Sequence, residues 1–150
     1  MRDMRVIVVD HIRNMNIDLL AQRIGLNLPV HTTSIGKVLL AYLGEEEQDK
    51  ILASVNLSQL TDKSLVDKKL VKQNLKLVGE RGYSTDEGET HVDLNCIASP
   101  IKDASGKVIA AINLMDEKTG TSAEKLFEIA PYLKDKALFV SRQLGYFPGI

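Results

Sequence analysis

With one cysteine in 150 residues, this chain cannot form an internal disulfide, which points to a reducing, cytoplasmic setting. Long apolar runs are also missing. The longest stretches, such as Val108 to Ile112, fall far short of the roughly 20 residues a membrane-crossing helix needs. The opening Met1-Arg2-Asp3-Met4-Arg5 is charged, and only four apolar residues follow before Asp10. That is too few for the core of a secretory signal. Charge of one sign is absent too, since 19 basic and 20 acidic side chains give a formal net charge of −1. A domain that grips nucleic acid by itself shows a basic excess or stripe. The nearest candidate stripe, Lys63, Lys68, Lys69, Lys72 and Lys76, falls mostly on the outer face of a helix and reads as solvated surface. Direct DNA binding by this chain is not expected.

What remains is an ordinary globular composition, 44% hydrophobic and 26% charged, long enough for one domain over residues 1–150 with its own core. Residues 5–12 read as a strand, because Val6-Ile7-Val8-Val9 is β-branched and bounded by charge. A turn at Asn14 and Asn16 then leads to residues 17–24, expected to pair back as a hairpin that Gly25 ends. Residues 34–43 read as a helix capped by Thr33 or Ser34, with Ile35, Val38, Leu39, Tyr42 and Leu43 as its buried stripe. A second helix spans 45–55, with acidic residues in its first turn. A third spans 65–80, with Val66, Leu70, Gln73 and Leu77 on one face and Gly82 as its C-terminal cap. Residues 83–86 and 95–102 look extended, and the turn Asp103-Ala104-Ser105-Gly106 leads into a strand over 107–115. Thr121-Ser122-Ala123-Glu124 has capping-box spacing. It opens a long helix with Leu126, Ala130, Leu133, Ala137 and Leu144 inward, and Pro131 either kinks that helix or marks its first turn. Strand pairs separated by helices, without regular alternation, predict an α+β sandwich around an antiparallel sheet. The first strand begins so early that the N-terminus reads as cut from something longer.

Three places could carry chemistry. The helix start at Ser34 offers unpaired backbone N–H groups and a favourable dipole for a carboxylate or phosphate. Thr33 and Ser34 add hydroxyls, and Gly36 keeps the turn slim. Those hydroxyls can equally be plain caps, and spacing leaves both readings open. The second place is the strand pair bearing Asp86 and Cys96, where alternation puts Leu94, Cys96 and Ala98 on one side. A lone strand cysteine is commonly a small buried hydrophobe, and Asp86-Glu87-Gly88-Glu89 with Asp93 reads as a solvated acidic loop. The third is Asn113, which shares a strand face with Ala111 and Met115 and needs a partner if buried. None of His11, His31 and His91 stands at helical ligand spacing. No metal or cofactor is assigned, although His31 and Cys96 form a conceivable pair. Gly-rich phosphate loops, nucleophile elbows and paired catalytic carboxylates are likewise absent from the sequence, so no residue is assigned a catalytic role.

The stretch Leu28-Pro29-Val30-His31-Thr32-Thr33-Ser34-Ile35-Gly36-Lys37-Val38-Leu39-Leu40-Ala41 resembles the signature of the effector-binding domain of IclR-family transcription regulators. Arg81-Gly82-Tyr83-Ser84-Thr85-Asp86, Asn95-Cys96-Ile97-Ala98-Ser99-Pro100-Ile101 and the ending Arg142-Gln143-Leu144-Gly145-Tyr146 resemble its other segments, in order. The resemblance implies a GAF-like α+β fold, a curved antiparallel sheet with helices on both faces. It also implies a pocket for a small organic acid and assembly into dimers or tetramers. DNA would be reached only through a winged helix-turn-helix that this chain lacks. The family's pocket positions fall on Ser34, Ile35, Asp86, Cys96, Asn113 and Met115. Asn113 and Met115 stand where the family often has small hydroxyl residues, and Ile35 where it often has a smaller one, which implies a tighter and differently tuned cavity. Two other readings compete: a GAF-like thiol redox enzyme using Cys96, and a ligand-free dimerisation module.

Overall fold

The computed structural model describes residues 5–10, 12, 25, 27–117 and 123–149. In chain order they form β1 (Arg5–Ile7), β2 (Asn27–Pro29), α1 (Ser34–Ala41), α2 (Glu45–Ser54) and α3 (Lys68–Arg81). Then come β3 (Ser84–Glu87), β4 (Leu94–Lys102), β5 (Val108–Glu117) and α4 (Ala123–Gln143). Strands β3, β4 and β5 make an antiparallel sheet in that order, and β1 and β2 make a separate antiparallel pair. The first expected strand is therefore paired over only three residues, and its described partner β2 was not anticipated. The expected turn at Asn14 and Asn16, the strand over 17–24, and Thr121 and Ser122 of the capping box lie outside the described residues.

β4 organises the interior because both of its faces are covered. Ile97 points to α4 and packs with Leu126, Ala130 and Leu133. Its neighbour Ala98 points the other way, against Val38 of α1 and Val78 of α3. Helices thus cover both faces of the sheet, an α+β arrangement as expected. A third cluster joins the remaining elements through Val6, Leu40, Leu52, Val71 and Leu75. The turn after β4 closes as its sequence implies: Asp103 accepts from the Ser105 and Lys107 amides, and Gly106 takes φ 82°.

α3 corrects the sequence reading. Asp67 caps it by accepting from the Leu70 N–H at 3.0 Å, so the helix begins at Lys68 rather than 65. Its buried residues are Val71, Leu75 and Val78. The expected stripe is outward, with Leu70 50% and Leu77 53% exposed. Apolar residues stand on both sides of this helix, and periodicity alone cannot say which side meets the core. In α4 the inward residues Leu126, Ala130, Leu133 and Ala137 are buried as expected, but Leu144 is beyond the helix and exposed. Pro131 lies inside α4 on its exposed side, where the carbonyl it leaves unpaired can turn to water. Among the described residues no helix is long and apolar enough to cross a membrane.

Candidate functional site

The start of α1 is held from two directions. Thr33 is the N-cap, and its Oγ1 accepts from the Gly36 N–H at 3.1 Å and donates to the Pro29 carbonyl at 2.7 Å. That hydroxyl is spent on structure. The N–H groups of Ser34 and Ile35 keep no intrahelical acceptor. Gly36 is slim for a different reason from the one expected. A Cβ there would stand 2.4 Å from the Val30 carbonyl oxygen and 2.7 Å from Thr33 Oγ1, so the close approach is made by this chain's own backbone.

Strand register supplies the opposite wall. Asp86 pairs with Cys96 across β3 and β4, and Cys96 pairs with Met115 across β4 and β5. Those three residues form one row on the α1 side of the sheet, and Ala98 with Asn113 belongs to the next row. Ser34 Oγ meets the Asn113 side chain at 2.8 Å. The amide satisfies its surroundings when its nitrogen points at Ser34 Oγ and at the Ile97 carbonyl, 3.0 Å away. The Ser34 hydroxyl then keeps its own proton to donate.

Thr33, Ser34, Ile35, Asp86, Cys96, Asn113 and Met115 therefore surround one cavity of about 100 Å³. Of the eight residues singled out in the sequence, only Gly36 is not in its wall. Four others complete it: Leu28, Thr90, His91 and Leu94. Leu94 was legible, since alternation set it beside Cys96. Thr90 and His91 were missed because the loop carrying them looked solvated.

That loop is the main correction at the site. Asp86 is 1% exposed, and its Oδ1 accepts from the amides of Glu89 at 2.7 Å and Thr90 at 3.2 Å. Glu89 forms an ion pair with Lys37, itself buried in α1. Thr61 and Ser64 hydroxyls hold the loop from outside by donating to the carbonyls of Gly88 and Glu89. Burial pushes the Glu89 carboxyl up to about 7, with Lys37 opposing and the charges of Asp86 and Glu87 adding. The loop is a clasp over the cavity. Of the expected acidic surface, Asp93 is the residue that stays well exposed.

Cys96 is buried in the sheet. Burial pushes its thiol far above the ordinary range, and the Asp86 charge pushes the same way. The ring of His31 lies 3.0 Å from the Ser58 carbonyl through Nε2, so it braces a loop and is not in the cavity wall. Among the described residues no three His, Cys, Asp or Glu side chains gather as a metal ion would require.

The family model for the C-terminal part of the bacterial transcriptional regulator IclR matches residues 1–142. This chain belongs to the IclR family. It is 35% identical over 127 residues to the HTH-type transcriptional repressor AllR of Salmonella typhimurium, covering 85% of this chain and 47% of AllR. The chain thus spans about half the length of the curated relatives it matches. The crystal structure of the C-terminal domain of the E. coli regulator KdgR is 35% identical, with a TM-score of 0.77 over 82% of this chain and 75% of that one. The inducer-binding domain of the Acinetobacter transcription factor PobR, solved as a double mutant with 3-hydroxybenzoic acid, is 28% identical. Its TM-score is 0.80 over 85% of this chain and 74% of that domain. The IclR-family fold is therefore shared, and the matched relatives are transcription regulators.

Proposed function

We propose that residues 1–150 are the effector-binding domain of a cytoplasmic transcription regulator, and that the cavity between α1 and the sheet takes a small organic acid. The observation that carries this is the joining of a helix start with free N–H groups to the row Asp86, Cys96 and Met115 around one space. An acid's carboxylate would lie against the Ser34 and Ile35 amides and the Ser34 hydroxyl, where the dipole favours it. Asp86 would accept from a ligand hydroxyl, and Cys96 and Met115 would pack against carbon. Size narrows the class. An apolar cavity of about 150 Å³ takes benzene, so about 100 Å³ suits an acid of a few carbons.

An effector that binds one arrangement of the domain better than another shifts the balance between them. In the full regulator that bias would pass through dimer or tetramer contacts to a winged helix-turn-helix, the module that would touch DNA. The buried, raised thiol of Cys96 supports a wall residue rather than a nucleophile, because the thiolate is the reactive form. The chain is accordingly read as having no catalytic role. Calorimetric titration with lactate, glycolate and pyruvate tests the proposal. Saturable binding that Ser34→Pro abolishes is expected, since proline at a first helical position keeps the helix while removing two of the three donors, the Ser34 N–H and hydroxyl. Binding that survives Ser34→Pro unchanged would overturn it.

A further inference from the structure

A second and larger cavity, about 280 Å³, opens at the other end of β4. Tyr42 at the end of α1, Pro100 and Lys102 of β4, Lys134 and Leu138 of α4, and Tyr146 line it. Cys96 of the first cavity and Lys102 of the second are six residues apart on the same strand, about 20 Å along it.

The cleft is built around an uncompensated cation. Lys102 Nζ stands 5.1 Å from the Tyr146 ring centre and 5.5 Å from that of Tyr42. Ring faces attract an ammonium but give it no lone pair for its three N–H donors. Among the described residues no carboxylate pairs with Lys102. The nearby serine hydroxyls are already used. Ser141 Oγ accepts from the Lys102 amide at 2.9 Å and donates to the Ala137 carbonyl at 2.7 Å, and Ser99 Oγ donates to the Gly82 carbonyl. Lys134 adds a second ammonium at the rim, one of whose N–H groups reaches the Arg81 carbonyl at 2.9 Å. The one acid of the wall, Asp135, faces Lys136 at 3.7 Å. The remaining wall is proline, leucine and phenol rings, and burial with the neighbouring Tyr146 raises the Tyr42 phenol.

We propose that this cleft is a second ligand site, taking a small aromatic carboxylate. The acid group sits on Lys102 Nζ, and the ring lies against Tyr42, Pro100 and Leu138. A charge-assisted bond anchors such a ligand more strongly than a neutral one. The cleft lies at the lower edge of the ~300–1,000 Å³ common for ligand sites, enough for a substituted benzene ring that the first cavity is too small to hold.

The test is an NMR titration of the 150-residue chain with sodium benzoate, with benzamide as the neutral isostere. Benzoate should shift the Tyr42, Lys102 and Tyr146 signals saturably, and benzamide should bind about tenfold more weakly or not at all. Lys102→Met should weaken benzoate by about tenfold while Lys102→Arg retains most of the affinity. Asn113→Leu, which removes small-acid binding in the first cavity, should leave the benzoate affinity read from the Tyr42 and Tyr146 signals as it is, so failure here is separable from failure of the proposed function. Should Lys102→Met not fold, Tyr146→Ala, beyond the last helix, makes the same comparison. Shifts confined to the Ser34 and Asn113 region, or benzoate affinity unchanged by Lys102→Met, would overturn the proposal. So would cleft signals that follow protein concentration instead of benzoate, which would make the cleft a contact between chains.

Discussion

Asn113 does two things at once: it satisfies the Ile97 carbonyl inside the sheet, and it positions Ser34 Oγ at the head of α1. Replacing it with leucine removes both bonds and leaves the buried Ser34 hydroxyl facing an apolar side chain, at a cost of about 1–3 kcal/mol. Asn113→Leu is therefore expected to lower the unfolding free energy by that amount in urea and to abolish binding of small acids. Met115 fills part of the cavity wall. Met115→Ala should enlarge the first cavity enough to admit hydroxybenzoates there, read as NMR shifts at Ser34 and Asn113 that the parent chain does not show. Gly36→Ala is a severe change because its methyl group meets the Val30 carbonyl oxygen at 2.4 Å. Backbone cannot move aside cheaply, so a loss of about 2 kcal/mol or more is expected in the same unfolding assay. At this scale the sequence said which residues matter but not why. Thr33, Ser34, Asp86 and Cys96 could be named from capping chemistry and strand alternation. That Gly36 answers to Val30, and that Thr33 is fully spent on its cap, depends on contacts no spacing encodes.

Among the elements, the β3–β4 connection departs furthest from its sequence. A run of acidic residues reads as solvated, yet Asp86 is turned inward by two backbone amides and Glu89 by buried Lys37. Long-range partners such as Lys37, Thr61 and Ser64 decide this, and they lie 25 or more residues away from the loop. The consequence is a pH signature. Glu89 holds its proton more tightly in the folded chain, up to about 7, than at the ordinary 4.5 of an unfolded one. Its contribution to stability is fully present below pH 4.5 and is lost as pH rises through 7. The upper limit of that contribution is about 3 kcal/mol. Glu89→Gln should therefore flatten the fall in stability between pH 4.5 and 7 relative to the parent chain, in urea titrations across that range. α3 gives a second test at this scale. Leu75, 1% exposed, should cost about 2–5 kcal/mol as alanine, whereas Leu77→Ala on the outward face should cost well under 1 kcal/mol. The helix itself was legible in the sequence. Its orientation was not, because Leu70 and Leu77 offer as good a stripe as Val71, Leu75 and Val78.

For the molecule as a whole, the arrangement of layers explains why one short helix and one strand control the cavity. β4 is buried on both faces, so it cannot shift without disturbing α4 on one side and α1 and α3 on the other. The clasp over residues 88–91 rests instead on a few side-chain bonds and one ion pair, which makes it the part most able to open for a ligand. Family membership was readable in the ordered motifs, and the antiparallel sheet followed from the turn at Asp103. The three-strand register that aligns Asp86, Cys96 and Met115 was not readable, since side-chain alternation fixes a face but not a partner. The central claim is that the space between the Ser34 helix start and that row holds a small acid. Calorimetric titration of the parent chain and Ser34→Pro with lactate tests it most directly. The account predicts one-to-one binding by the parent chain and none by Ser34→Pro at matched thermal stability; equal binding by both would contradict it.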